Sequence, residues 1–377
     1  MAQRQLRRVS AIDKVNATSA DVLWMRQALE MARRGWGATH PNPMVGALIV
    51  EDDKVVALGY HAKAGEAHAE VVALKSLGRP PKSNAVLYVT LEPCCTHGLT
   101  PPCVDAIIAS GIRHVVVGAT DPNPAHAGKG LDLLRQNGIT VTSGVLADEA
   151  NDLNLIFNHW ITHHRTLVAL KLASTVDFRL VHAEKTIRTI SNQSSRTDVH
   201  QWRKLFPAIA ISVDTLIADN PSLTSRIPNN ESCSTRFILD RHFRSAQKTH
   251  SGLFQDKYRH LTIVVGLKQL ATAHVLQAYE SAGIKVWLID GEENDFLENW
   301  IERCTEEKLV GVYIEAGPRL ASVILKNKIA DYFFLYFAKS QNGDLESPPW
   351  TESGVPELRD KVTTTFEKDT LTRGFLI

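Results

Sequence analysis

Apolar residues recur in two registers along the chain, and their alternation predicts a layered α/β architecture. Residues 21–34 carry apolar side chains at helical spacing, with Asp21 at a cap position and Gly35 just past the end. Residues 44–50 and 55–58 are short apolar runs separated by Glu51, Asp52 and Asp53, a hairpin signal. The pattern continues with helix over 66–77, buried strand over 85–90, helix over 102–110 and strand over 114–118. A helix over 131–137, closed by Gly138, and a strand over 139–142 complete a first domain.

A polar, helix-prone stretch then bridges to a second α/β pattern. Strands are expected over 167–172, 208–212, 237–239, 261–265, 285–289, 311–314 and 332–337, and helices over 194–204, 295–308 and 318–326. The expected division is 18–147 for the first domain, 148–165 for a linker and 166–377 for the second domain. The last forty residues are polar and carry no clear period.

Composition narrows the function. The 377 residues suit two domains, and 42 basic against 41 acidic side chains leave a formal charge of +1. So balanced a chain has no global field to draw in nucleic acid, and a small molecule is the expected partner. No apolar run reaches the length of a membrane helix. Residues 1–17 carry arginines but no apolar core of a secretory signal, so the expected compartment is the cytoplasm. Three of the five cysteines (Cys94, Cys95, Cys103) lie within ten residues, a cluster that speaks for a metal or reactive thiol rather than a disulfide framework.

The chemistry concentrates in His68-Ala69-Glu70, followed by Pro93-Cys94 and Pro101-Pro102-Cys103. One imidazole and two thiolates are ligands that zinc prefers, and they leave a fourth position for water. Zinc lowers the pKa of that water towards neutrality, and a carboxylate two residues after the histidine can shuttle protons to a ring nitrogen and departing amine. His-x-Glu followed by Pro-Cys-x-x-Cys marks zinc deaminases, although here eight residues separate the cysteines instead of two. Adjacent side chains diverge, so only one of Cys94 and Cys95 should bind with Cys103, and Cys94 follows the proline. A purely structural site, completed by His97, is the competing reading and gives Glu70 no role.

Several further segments carry a resemblance. Residues 40–46 (HPNPMVG), 59–61 (GYH), 68–70, 90–94 (TLEPC), Gly98, 100–103 (TPPC) and 121–124 (DPNP) together resemble the bifunctional riboflavin-biosynthesis family RibD, where the long gap between cysteines is typical. The resemblance runs from about residue 20 to about residue 340. It implies a cytidine-deaminase-like three-layer domain followed by a dihydrofolate-reductase-like domain, acting on 2,5-diamino-6-ribosylamino-4(3H)-pyrimidinone 5′-phosphate. It implies zinc on His68, Cys94 and Cys103, Glu70 as proton shuttle, Asn42 and His61 in the substrate pocket, and His97 and Thr100 on its rim. A homo-oligomer is also implied. Leu99 stands where the family usually carries a lysine or arginine able to meet the substrate phosphate.

In the second half, a strand over 311–314 runs into Glu315, Ala316, Gly317 and Pro318, a turn whose helix N-terminus can present amides to a phosphate. A second polar turn spans 215–226, and no G-x-G-x-x-G fingerprint is present, which disfavours a Rossmann domain. By resemblance, Arg203, Leu223, Arg226 and Glu315 would face the ribosyl phosphate. Ser174, Thr215, Asp219 and the run Gly317, Pro318, Arg319, Leu320, Ala321, Ser322 and Val323 would hold NADPH. Three positions depart from the family: Phe178 replaces a turn glycine, Thr189 a tryptophan, and 211–212 read Ile-Ser instead of Val-Gly. These departures keep open a deaminase with a structural C-terminal domain. A nucleic-acid deaminase is a further alternative, disfavoured by near-neutral charge and 7% aromatic content.

Overall fold

A computed structural model of the chain describes residues 17–98, 100–180, 190–228, 230–339, 349–351 and 354–377. The expectations attached to the first sixteen residues, Leu99 and Thr189 lie outside the described residues. The chain forms two compact units, Met1–His163 and His164–Ile377.

The first unit opens with helix α1 (Ser19–Ala32). Its cap is Thr18, not Asp21. The Thr18 hydroxyl accepts from the Asp21 amide, and the Asp21 carboxylate accepts from the Thr18 amide in a reciprocal capping box. Strands β1 (Gly46–Glu51) and β2 (Lys54–Tyr60) form the expected hairpin, turned by Asp52 and Asp53 at φ of 50° and 57°. Then follow α2 (Ala69–Leu77), β3 (Val86–Leu91), α3 (Cys103–Ser110), β4 (His114–Ala119), α4 (Lys129–Gln136) and β5 (Thr140–Ser143).

The sheet order is β2-β1-β3-β4-β5, antiparallel through β3 and parallel beyond it. Alternate residues of each strand serve opposite faces. Leu48 and Val50 pack under Met25 and Ala28 of α1, while Ala47 and Ile49 meet Ala73, Val104 and Leu134 of α2–α4. With both faces covered, the inner strands β1, β3 and β4 read as continuous apolar runs. Gly59 makes the seating of α2 possible, because a Cβ there would lie 2.2 Å from the Ala69 carbonyl oxygen.

Residues 148–165 do not form a linker. They lie almost wholly in helices α5 (Ala147–Leu153) and α6 (Leu155–His163), within the first unit. Ala150, Leu153, Leu155 and Ile156 are buried, and the Asn154 carboxamide bonds both the amide and the carbonyl of Met44. Most polar residues of this stretch form its outer face, while Asn154 and His159 are buried.

The second unit begins with β6 (Leu167–Thr175), α7 (Gln193–Leu205), β7 (Ala208–Ser212) and α8 (Val213–Asp219). A small ribbon, β8 (Ser225–Ile227) with β9 (Asn230–Ser232), precedes β10 (Thr235–Leu239), α9 (Gly252–Gln255) and β11 (Thr262–Leu267). The chain continues through α10 (Ala273–Ser281), β12 (Lys285–Ile289), α11 (Phe296–Glu306), β13 (Gly311–Glu315), α12 (Pro318–Lys326) and β14 (Tyr332–Ala338). It ends in β15 (Leu358–Phe366) and β16 (Asp369–Leu376).

The order β12-β11-β10-β7-β13-β6-β14-β16-β15 is parallel except at its last two pairings. Helices α11 and α12 cover one face through Trp300, Cys304, Ala321 and Ile324, and α8, α9 and α10 cover part of the other through Leu216, Phe254 and Tyr279. The unplaced tail is thus the edge hairpin β15–β16. Its outer strand is mostly exposed, which hides the strand period behind polar residues.

Candidate active sites

In the first unit, the turn before α2, the loop after β3 and the first turn of α3 converge. His68 is the N-cap of α2, so it precedes the helix rather than lying inside it. Glu70 occupies the first turn and is buried. Cys94 follows β3, and Cys103 opens α3.

The His68 Nδ1 lies 3.2 Å from the Cys103 Sγ and 3.5 Å from the Cys94 Sγ. Among the described residues these three alone group as candidate metal ligands, with all donor atoms within 4.8 Å of one another. Two sulfurs and one imidazole nitrogen at this spacing fit zinc with an open fourth position. The Cys103 amide also donates to the Cys94 Sγ at 3.3 Å. Hydrogen bonding from the Cys103 side chain, aided by His68, holds the Cys94 thiol well below the usual thiol range despite its burial. Cys103 is pushed up as the partner that keeps the shared proton.

The Cys95 Sγ lies 3.6 Å from the His126 Nδ1 instead. Cys95→Ser is therefore expected to leave zinc stoichiometry unchanged by elemental analysis; a loss of zinc would reassign the ligand.

Burial is the main influence on Glu70 and pushes its carboxyl up to about 7. His61 donates from Nδ1 to the Ala67 carbonyl at 3.2 Å, which leaves its Nε2 to accept from the Asn42 carboxamide at 3.2 Å. Burial lowers the His61 pKa, consistent with this neutral tautomer. The other Asn42 N–H and its carbonyl oxygen stay available to a ligand. Thr100 approaches the far side of the His68 ring, with its Oγ1 3.5 Å from Nε2.

Asn42, His61, His68, Glu70, Cys94 and Thr100 line a cavity of about 350 Å³, and Cys103 lies buried behind it. Three of its lining residues, Phe157, Trp160 and Ile161, come from α6. They give the site an apolar wall that the sequence reading placed in a linker. Asn123 and His126 also line it, while His97 is exposed and is not among the lining residues. The His97 side chain faces solvent and is not grouped with His68, Cys94 and Cys103.

In the second unit, the parallel strands β6, β13 and β7 lie side by side and end on the same edge, where ligands of open α/β sheets bind. Glu315 ends β13 and accepts a bidentate pair of hydrogen bonds from Arg203 of α7, at 2.6 and 3.0 Å. Lys171 of β6 stands 3.6 Å from the same carboxylate. Burial alone would raise the Glu315 pKa, but Arg203 and Lys171 outweigh it and hold the carboxyl down at about 2. Lys171 was missed in the sequence, although a lone cation inside the apolar run 167–173 was the available signal. Burial lowers its pKa, with Glu315 opposing.

Arg203 also donates to the Thr224 carbonyl at 3.1 Å, and the fully buried Arg236 donates to that of Ser222 at 3.1 Å. These bonds pin the turn that carries Arg226, whose guanidinium reaches the Ser222 Oγ at 2.6 Å. Thr215 faces the turn at Gly317, with its Oγ1 3.7 Å from where a glycine Cβ would sit.

Other expected residues are placed differently. Leu223 and Ala321 are buried in apolar cores, and the Ala321 amide is spent on the Gly317 carbonyl, so neither offers a side-chain contact to a ligand. Ser174 is fully buried and accepts from the Trp350 indole at 2.9 Å. Asp219, Arg319, Ser322 and Val323 are exposed, while Pro318 and Leu320 are partly buried. Phe178 does adopt a positive φ, 58°, and its ring packs against Phe337 and Trp350 at centroid distances of 6.0 and 6.1 Å. Aromatic packing offsets the backbone strain there.

Comparison with known proteins matches both units. The family model described as the cytidine and deoxycytidylate deaminase zinc-binding region covers residues 18–119, and that of the RibD C-terminal domain covers 166–372. The riboflavin biosynthesis protein RibD of Aquifex aeolicus (strain VF5) is 39% identical over 324 residues, spanning 86% of this chain and 88% of that protein. The RibD of Escherichia coli (strain K12) is 34% identical over 348 residues, spanning 90% and 93%. A solved structure from Thermotoga maritima, a diaminohydroxyphosphoribosylaminopyrimidine deaminase/5-amino-6-(5-phosphoribosylamino)uracil reductase, superposes with a TM-score of 0.77 at 31% identity. That superposition covers 95% of this chain and 99% of the other. With the two domain models in sequence and relatives aligned over most of its length, this chain belongs to the RibD family.

Proposed function

We propose that the chain carries out two successive steps of riboflavin biosynthesis. The first unit hydrolytically deaminates 2,5-diamino-6-ribosylamino-4(3H)-pyrimidinone 5′-phosphate, and the second reduces the ribosyl chain with NADPH to give 5-amino-6-ribitylaminouracil 5′-phosphate. The observation that carries this reading is the convergence of His68, Cys94 and Cys103 beside a buried Glu70 that lines a cavity of about 350 Å³.

Zinc held by His68, Cys94 and Cys103 would supply a Lewis acid that makes water nucleophilic near neutral pH. The remaining work falls to side chains. Glu70 takes a proton from the attacking water and returns protons to the ring nitrogen and the departing amine, so water and the aminated ring carbon become carbonyl and ammonia. Asn42, oriented by His61, hydrogen-bonds the ring edge. The α6 wall packs on the ring face and limits bulk water.

NADPH would supply hydride to the second unit, and the protein's part is to position donor and acceptor. Thr215 and the Gly317 turn border the cofactor. The Arg203–Glu315–Lys171 cluster faces the substrate, with Lys171 and Glu315 able to hold a proton beside the reduced carbon. Arg226 offers a planar fork to the ribosyl phosphate.

No helix among the described residues is long and apolar enough to cross a membrane. The reading places the enzyme in the cytoplasm, where free thiols such as Cys94 and Cys103 stay reduced. Its assembly as a homo-oligomer rests on family resemblance.

Incubating the protein with the diaminopyrimidinone phosphate and reading product mass tests the whole scheme. Deamination alone is expected without NADPH, and the ribityl product with it. A deaminated product that never oxidises NADPH would leave the second unit a structural role.

A further inference from the structure

The proposed substrate carries a phosphate, yet no lysine or arginine lines the deaminase cavity among the described residues. Three histidines do. His68 is turned to the thiols, and His61 is held between the Ala67 carbonyl and Asn42. His126 is left, and the structure builds it in with care.

It sits on the loop 120–128, which is tied down by one buried carboxylate. Glu92 accepts from the amides of Asp121 (3.1 Å), Gly128 (2.9 Å) and Gly130 (2.9 Å). Within the loop, Asp121 and Asn123 cap the following amides, and the His126 amide closes the turn onto the Asn123 carbonyl at 2.9 Å. The backbone behind the imidazole is therefore fixed before any ligand binds.

We infer that His126, with Thr96, receives the phosphate of the substrate at the mouth of the deaminase cavity, a role that rests on the substrate reading above. The His126 Nδ1 accepts from the Cys95 amide at 3.5 Å, which puts the ring proton on Nε2. That nitrogen lies 3.4 Å from the Thr96 Oγ1. Nε2–H donates to the Thr96 hydroxyl oxygen, and a phosphate oxygen that takes its place would accept from both Nε2–H and the threonine O–H. Thr96 is exposed whereas Glu70 is buried, so the cavity runs from a wet, donor-rich mouth to a dry catalytic floor. A phosphorylated ribose attached to a flat ring matches that gradient.

The test compares ammonia release from the phosphorylated substrate and from the same compound after its phosphate has been removed enzymatically. His126→Ala is expected to lower kcat/KM about 10–100-fold for the phosphorylated substrate through KM, the range for a lost hydrogen bond to a charged group. Turnover of the dephosphorylated compound should be unchanged, and His126→Arg should preserve the preference for phosphate. An equal fall with both compounds, or no change with either, would overturn the assignment. Ribose 5-phosphate provides a second readout by NMR. It should shift the ring resonances of His126 and leave those of exposed His97 in place, and an unmoved His126 would defeat the inference. If wild-type protein deaminated neither compound, the substrate reading would fall and this titration would still decide His126.

Discussion

Glu70→Gln is expected to slow ammonia release by about 10²–10⁴-fold, the range that positioned proton transfer contributes. Zinc content should not change. Glutamine matches the shape of the buried carboxyl, and the donor atoms of His68, Cys94 and Cys103 are untouched. What is lost is the ability to take a proton and return it. Glu70 stands in the first turn of α2, beside the ligand that caps that helix. Among the described residues, the other buried carboxylates lining the cavity are engaged elsewhere. Glu92 is spent on three loop amides, and Asp121 accepts from the Asn123 amide. Elemental analysis with a coupled ammonia assay separates the outcomes. Near-normal turnover with full zinc would remove Glu70 from the chemistry. Loss of both zinc and turnover would show a structural part instead, and the purely structural zinc site would regain its case.

In the second unit, Glu315→Gln is expected to abolish substrate-dependent NADPH oxidation and to cost about 3–5 kcal/mol of stability, as when one member of a buried ion pair is removed. The variant would leave Arg203 and Lys171 facing each other without the carboxylate that now sits 2.6 Å from the first and 3.6 Å from the second. The pH dependence has a definite sign. The Glu315 carboxyl titrates at about 2 in the folded chain against an ordinary 4.5. Its contribution to stability is thus complete above pH 4.5 and is lost as pH falls towards 2. Denaturant titrations of both proteins should show a gap that is full near neutrality and closes across that window. A gap that stayed constant would mean that the charge of Glu315 is not what the fold depends on. Ammonia release, whose residues all lie in the first unit, should persist.

Much of this was legible in the sequence because local physics sufficed. Strands 208–212 and 285–289 and helix 318–326 coincide with the elements found. An apolar run between turn residues, or a proline opening an amphipathic stretch, has few other solutions. The His68, Cys94 and Cys103 donor group was equally readable: neighbouring side chains diverge, so one of Cys94 and Cys95 drops out, and the proline before Cys94 matches the Pro-Cys signature. Elements with weak apolar contrast escaped. The edge hairpin β15–β16 exposes most of its outer strand, and α5–α6 shows enough polar surface to pass for a linker.

The sequence by itself determined the two α/β units and singled out His68, Cys94, Cys103 and Glu70 as candidates, because each is set by residue type and short spacing. Only the tertiary structure decided which distant side chains complete the sites. Phe157 and Trp160 reach the cavity because α6 folds back onto the first unit, through Asn154 bonded to Met44. His126 reaches it because Glu92 gathers the loop from a strand away. Lys171 meets Glu315 because β6 and β13, more than a hundred residues apart, pair in parallel with those two residues in register. Such contacts depend on strand order and loop anchoring. Both are settled by the burial of whole faces, and no local window of sequence contains them.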